Sequence, residues 1–220
     1  MFALSEEDLA LKILGCGDGP ASFNAEATRR GAAVISCDPI YQWEPIQIRK
    51  RIAETCDQIL DQTRRNVDEF VWDSIRSVEE LGQIRMSAMN DFLSDYVQGK
   101  AQGRYVQAEL PTLPFANSSF DLALCSHLLF LYSSQLGEGF HQLAIQELCR
   151  IAREVRIFPL LALAGHRSPY VDRSVTELRE AGHDVSIENV PYEFRRGGNQ
   201  MMRIRTRGCA ADRDQEERTQ

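Results

Sequence analysis

The chain reads as an open α/β sheet, with strands alternating with helices and a ligand edge at the carboxyl ends of the strands. Three observations lead there. An apolar run, Leu11-Lys12-Ile13-Leu14, ends in the glycine turn Gly15-Cys16-Gly17-Asp18-Gly19-Pro20. A helix-compatible segment and a second apolar run, Ala32 to Cys37, follow at the spacing of a right-handed βαβ unit. An acid, Asp38, stands at the end of that second run, roughly 20 residues past the glycines, where an open α/β sheet places a ribose-binding carboxylate. Glycines in the turn let the backbone bend sharply and let a ligand approach the main chain at the positive end of the next helix.

In order along the chain, Ser5-Glu6-Glu7-Asp8 carries a capping serine and first-turn acids, so a short lead-in helix is expected. Leu11 to Leu14 is the first strand and Ala21 to Arg30 the first crossover helix, ended by Gly31. Ala32 to Cys37 is the second strand. The stretch from Trp43 to Gly99 is too long for an ordinary crossover. Ile48, Ile52, Cys56, Ile59, Leu60 and Val67 recur at helical spacing after Pro45, and Ser77-Val78-Glu79-Glu80 is a capping box for a further helix. Two or three helices are expected there, as an insertion over the carboxyl edge.

Arg104 to Gln107 is a short third strand, and the prolines of Leu110 to Phe115 demand a loop. Phe120 to Ser126 is a strongly apolar fourth strand, and His141 to Arg153 an amphipathic helix. Val155 to Leu163 is the fifth strand, with Pro159 forcing a bulge or an early end. Ser174 to Ala181 is a helix, and His183 to Val190 and Met201 to Thr206 are the last two strands. One domain over 1–209 is expected, with 44–99 as its helical cap and 210–220 as a charged, disordered tail.

Composition narrows the class. A chain of 220 residues, 43% hydrophobic, suits one soluble α/β domain. The net charge of −7 and pI near 5.2 argue against a nucleic-acid partner. No apolar run approaches the ~18 residues of a membrane span, and the first residues lack a secretory pattern. Six cysteines without a CxxC pair fit a cytoplasmic protein rather than a disulfide frame. The four histidines form no HExxH or HxxxH pattern, so no metal site is expected.

The segment Glu109-Leu110-Pro111-Thr112-Leu113-Pro114-Phe115-Ala116-Asn117-Ser118-Ser119-Phe120-Asp121 then separates possible cofactors. The order "ILGCGDG", an acid after strand two, "LPF", and "SFD" entering an apolar strand resembles the class I S-adenosylmethionine-dependent methyltransferases. The likeness runs from Leu11 to about Leu163 and is closest to an uncharacterised bacterial-type subgroup. It implies a Rossmann-like, seven-stranded, mostly parallel sheet with an antiparallel last strand, helices on both faces and the helical insertion between strands two and three.

The resemblance further implies S-adenosylmethionine as cofactor and a small-molecule methyl acceptor. Gly15, Cys16 and Gly17 would lay main chain against the methionine and ribose, Asp38 with Pro39 would hold the ribose diol, and Glu109 with the Leu110 amide would read the adenine. Ser126 and His127 would stand where methyl and acceptor meet. Each has a plainer reading: Asp38 as a turn cap, Glu109 as a solvated loop acid, His127 as a structural histidine instead of a general base working near neutrality. Tyr41, Trp43 and Tyr132 would line the acceptor pocket or pack in the core. The acid that the family carries two residues before its first glycine is Ile13 here, which leaves Asp18 or a group from the insertion as its stand-in.

Arg195-Arg196 reads as a solvated turn, with a phosphate or carboxylate contact as the alternative. Asp38-Pro39-Ile40-Tyr41 looks like the DPPY box of DNA amino-methyltransferases but follows strand two rather than strand four, so a nucleobase acceptor is not expected. Two other functions share the glycine turn and Asp38. One is a non-catalytic S-adenosylmethionine-binding module. The other is a nicotinamide oxidoreductase, which Pro20 disfavours by standing where a third fingerprint glycine belongs.

Overall fold

The computed structural model describes residues 1–207, so the expected tail lies outside the described residues. The elements run α1 (Glu6–Leu9), β1 (Lys12–Cys16), α2 (Phe23–Arg29), β2 (Ala33–Cys37), a 3₁₀ turn (Pro39–Gln42), α3 (Pro45–Arg65), α4 (Val78–Ala101), β3 (Tyr105–Val106), β4 (Phe120–Ser126), α5 (Glu138–Ile151), β5 (Ala152–Phe158), α6 (Val171–Glu180), β6 (Asp184–Asn189) and β7 (Gln200–Arg205). The seven strands form one sheet in the order β3-β2-β1-β4-β5-β7-β6. Pairings are parallel from β3 to β5, and β7 lies antiparallel between β5 and β6. This is the Rossmann-like sheet expected from the sequence.

Side-chain alternation divides β1 between two cores. Ile13 faces a cluster with Ala27, Val34, Leu122 and Phe158, whereas Leu14 faces one with Ala123, Ile145, Leu148 and Val155. Both are fully buried, as a parallel strand covered on two faces requires. The strand order reverses beside β1, with β2 on one side and β4 on the other, which opens a crevice at the carboxyl ends of these strands.

The lead-in helix is fixed by a reciprocal capping box: the Asp8 amide donates to Ser5 Oγ and the Ser5 amide to Asp8 Oδ2. The same Asp8 carboxylate accepts from Arg156 of β5 at 2.8 and 3.0 Å, and Arg156 Nη1 also donates to the Phe2 carbonyl. The N-terminal segment is thereby tied across the sheet.

The insertion is two long helices, α3 and α4, joined through a short 3₁₀ turn at Val67–Glu69. It docks on the sheet in two places. Near β3, Phe92 and Tyr96 of α4 pack with Tyr41 and Tyr105, their ring centroids 4.9 to 6.0 Å apart. At the other end Phe70 pairs with Arg195 as a main-chain bridge, the Val71 amide donates to the Phe194 carbonyl, and the Arg196 amide donates to the Glu69 carbonyl. A roof therefore spans the carboxyl edge from β3 to the β6–β7 loop.

Candidate active site

At the glycine turn, the Gly17 amide donates to the Cys37 carbonyl at 2.9 Å, and Gly17 and Gly19 have φ of +70° and +59°. A β-carbon at Gly17 would stand 2.6 Å from Leu128 Cδ2, because Leu128 packs over the turn from the end of β4. One at Gly15 would collide with the Asp18 carboxylate at 1.9 Å. Asp18 is thus folded back under the turn, where Ser36 Oγ donates to it at 2.5 Å. Burial pushes its carboxyl up to about 7, with the nearby Asp38 charge adding to the effect and the Ser36 bond opposing it. An acid turned inward does not stand in for the one missing at Ile13, itself buried in the core. Cys16 contributes only main chain to the turn, since its side chain lies with Cys37 and Cys125 in one buried row across β2, β1 and β4. The hydrogen bond to Cys37 and burial push the Cys16 thiol far up, which makes it inert.

Asp38 closes β2 with its carboxylate held on both oxygens: the Gly19 amide donates to Oδ2 and the Ile40 amide to Oδ1, each at 2.9 Å. Its carboxyl is raised by burial, against the pull of those two amides, and Glu109 adds a further upward push. Glu109 itself is exposed in the loop after β3, and Leu110 is buried behind it. Pro39 opens the 3₁₀ turn beside Asp38.

That turn puts Tyr41 on the core side of its two readings, pocket or core. It swings the ring into the aromatic cluster under α4, leaving it 1% exposed, with its hydroxyl donating to the Gly19 carbonyl at 2.8 Å. Tyr41 is a core residue that braces the glycine turn. Trp43 lies just beyond, half exposed, and is not among the residues lining the large cavity.

The end of β4 delivers Ser126 and His127. His127 has φ of +52°, a left-handed conformation uncommon for any residue but glycine, and its amide donates to the Phe158 carbonyl at 2.7 Å. Ser126 Oγ and His127 Nδ1 are 2.8 Å apart. The ring lines a cavity of about 540 Å³ between the strand ends, α3, α4 and the β6–β7 loop. Tyr132 lines the same cavity, together with Arg85, Phe158, Tyr192 and Arg195. His127 is exposed along one side, and desolvation by the cavity wall, then the positive charges of Arg85 and the chain amino terminus, hold its imidazole below the ordinary value. The direction of that shift leaves the ring neutral at pH 7 and a weaker base than an ordinary imidazole.

The sequence reading did not single out Arg85, Tyr192 or Phe194. Arg195 was legible only as half of an Arg-Arg turn. Both arginines of that pair are engaged, Arg195 with Glu69 at 2.6 Å and Arg196 with the Asp68 and Phe70 carbonyls at 3.2 and 3.1 Å.

Comparison with known proteins gives the setting. No protein-family model matches the chain. The uncharacterized protein MJ0045 of Methanocaldococcus jannaschii is 34% identical over 210 residues, covering 93% of this chain and 90% of the relative. The chain belongs to the MJ0045 family. Among solved structures, an O-methyltransferase family protein from Burkholderia thailandensis superposes with a TM-score of 0.50 at 9% identity, over 93% of this chain and 53% of that one. The magnesium protoporphyrin IX methyltransferase of Synechocystis, solved with bound SAH, gives 0.49 at 13% identity, over 91% of this chain and 76% of that one. This member of the MJ0045 family has the class I methyltransferase fold. Among the described residues no helix is long and apolar enough to cross a membrane.

Proposed function

We propose that the chain is an S-adenosylmethionine-dependent methyltransferase that passes a methyl group to a small-molecule acceptor. One observation carries the reading: a carboxylate, Asp38, fixed by two main-chain amides at the end of β2, beside a glycine turn and within the field of Glu109. The amides from Gly19 and Ile40 use one lone pair on each Asp38 oxygen and leave acceptor capacity for the two hydroxyls of a ribose. Glu109 is acceptor-only when ionised, so it suits an exocyclic amine, and the Leu110 amide suits a ring nitrogen. The nucleoside half of the cofactor fits these residues. On the methionine side, Ile13 and Asp18 offer no outward carboxylate, so Ser126 and the main chain of the turn are the polar groups there.

The bound cofactor supplies a methyl group on a sulfonium, which is already a good leaving group. The protein then has to position the acceptor and exclude water. In this reading residues 44–99 serve as the cap, the cavity beside His127 takes the acceptor, and His127 accepts a proton from an acceptor hydroxyl or amine at a ring nitrogen. For Nε2 to accept, Nδ1–H donates to Ser126 Oγ, which fixes the ring.

Two observations favour the second reading, a cofactor-binding module without turnover: Ile13 in place of an acid and the weak basicity of His127. Labelled methyl transfer to an acceptor panel separates the two. Product that disappears in Gly17→Val supports the enzyme, and saturable cofactor binding without product across the panel supports the module. Titration with NADH fluorescence checks the nicotinamide alternative, for which no saturation is expected.

A further inference from the structure

We propose that the roughly 540 Å³ cavity beside His127 is an oxyanion-recognition site built on Arg85 and Arg195, which selects ligands carrying a carboxylate or phosphate on an aromatic or apolar body. As a statement about the acceptor, this rests on the methyltransferase reading; as a statement about binding, it stands on the cavity alone.

The charge balance inside the cavity is opposite to that of the chain. The whole sequence carries −7, yet the lining holds two guanidinium groups against one carboxylate, Glu69. Glu69 is already used, accepting from Arg195 Nη2 at 2.6 Å. That is the sole side-chain hydrogen bond of Arg195 among the described residues, and its Nε is enclosed with no partner at all. Arg85 projects from α4 into the same space, and among the described residues it forms neither a salt bridge nor a side-chain hydrogen bond. The more buried arginines are fully matched: Arg104 forks onto Asp95, and Arg156 is shared by Asp8 and Glu154. Arg195 instead keeps an enclosed, unpartnered Nε beside its Glu69 pair, and Arg85 is an exposed cation on the cavity wall with no counter-ion among the described residues; an anion in fork geometry satisfies both.

The remaining walls define the rest of the ligand. Phe70, Tyr132, Phe158, Tyr192 and Phe194 supply aromatic surface, which suits an apolar body more than a sugar. Arg196, the neighbour of Arg195, is spent on main-chain carbonyls of the roof, so the two adjacent arginines divide the work of latching and recognition. His127 lines the floor at the end of β4, so a ligand anchored on the arginines lies against the strand edge where the transferred methyl would arrive.

The test uses the full chain in thermal-shift and calorimetric titrations with benzoate and phenyl phosphate, and with benzamide and benzyl alcohol as neutral counterparts. Benzoate, phenyl phosphate or both bind saturably, and the neutral pair at millimolar concentration does not; which anion is tighter identifies the head group. Arg85→Gln weakens anion binding by about tenfold or more, the scale of a charge-assisted contact, and Arg85→Lys restores part of it. In a wild-type NMR titration, bound benzoate raises the midpoint of the His127 ring, as a neighbouring anion must. Equal binding of neutral and anionic probes, no binding of either anion, or unchanged affinity in a folded Arg85→Gln protein overturns the proposal. S-adenosylhomocysteine is titrated in parallel: its failure to bind while the anions still bind overturns the methyltransferase reading and supports this one.

Discussion

Replacing Asp18 by Asn should stabilise the protein at neutral and alkaline pH, with a gain that shrinks through mild acid and vanishes below about pH 4. Asp18 is part-buried under the glycine turn, with its carboxyl raised from 3.8 to about 7, chiefly by desolvation. In the unfolded chain the group ionises above about pH 4, whereas in the fold it keeps its proton to about pH 7. Between those limits the folded state binds more protons, so this group's contribution falls as pH rises through the window and is flat above it. At 1.36 kcal/mol per pH unit the whole window is worth on the order of 4 kcal/mol, and partial solvent contact of the residue reduces that to about 2 kcal/mol. Asparagine keeps the shape and an acceptor for Ser36 without the charge. Urea unfolding of both proteins at pH 5 and pH 8 measures the difference, and comparing variants cancels the other carboxylates. Asp8, Asp95 and Glu154 are held low by arginines and lose stability in the opposite direction, as pH falls. A variant no more stable than wild type at pH 8, or a gain of equal size at both pH values, would refute the reasoning.

Further outcomes follow from the same geometry. Tyr41→Phe removes one hydrogen bond to the glycine turn and should cost about 1 kcal/mol without altering anion binding in the cavity; a selective loss of ligand affinity would return Tyr41 to the pocket. The His127 ring, followed by NMR, should titrate below 6.5, and Arg85→Gln should raise its midpoint by removing a repelling charge; a wild-type midpoint at or above 6.5 contradicts the assigned surroundings. Arg156→Met leaves Asp8 without its partner and should cost about 3 kcal/mol, the scale for breaking one side of a buried pair; an unfolding midpoint unchanged from wild type would mean the network contributes nothing.

Much of the fold was legible because the signals were local. The glycine turn, Asp38 and the apolar run from Phe120 mark three strand ends that the sheet does bring side by side, with β2, β1 and β4 adjacent. Pro159 lacks an N–H, and β5 ends just before it at Phe158. Its beginning was hidden, since α5 passes into β5 between Ile151 and Ala152 with no turn residue to mark the change. The cavity was least legible. Arg85 sits on a helix face that periodicity would assign to solvent, and it becomes a cavity residue only when α3, α4 and the β6–β7 loop close over the strand ends. Tyr41 shows the converse: the sequence left it between pocket and core, and the 3₁₀ turn carries its ring into the core.

The most direct test of the central claim is a calorimetric titration of the full chain with S-adenosylhomocysteine, repeated on Asp38→Ala. The account predicts saturable heat for the wild type, with an affinity at least about tenfold weaker once the carboxylate that grips the ribose is gone. No heat at millimolar ligand, or the same affinity in a folded Asp38→Ala protein, would contradict it.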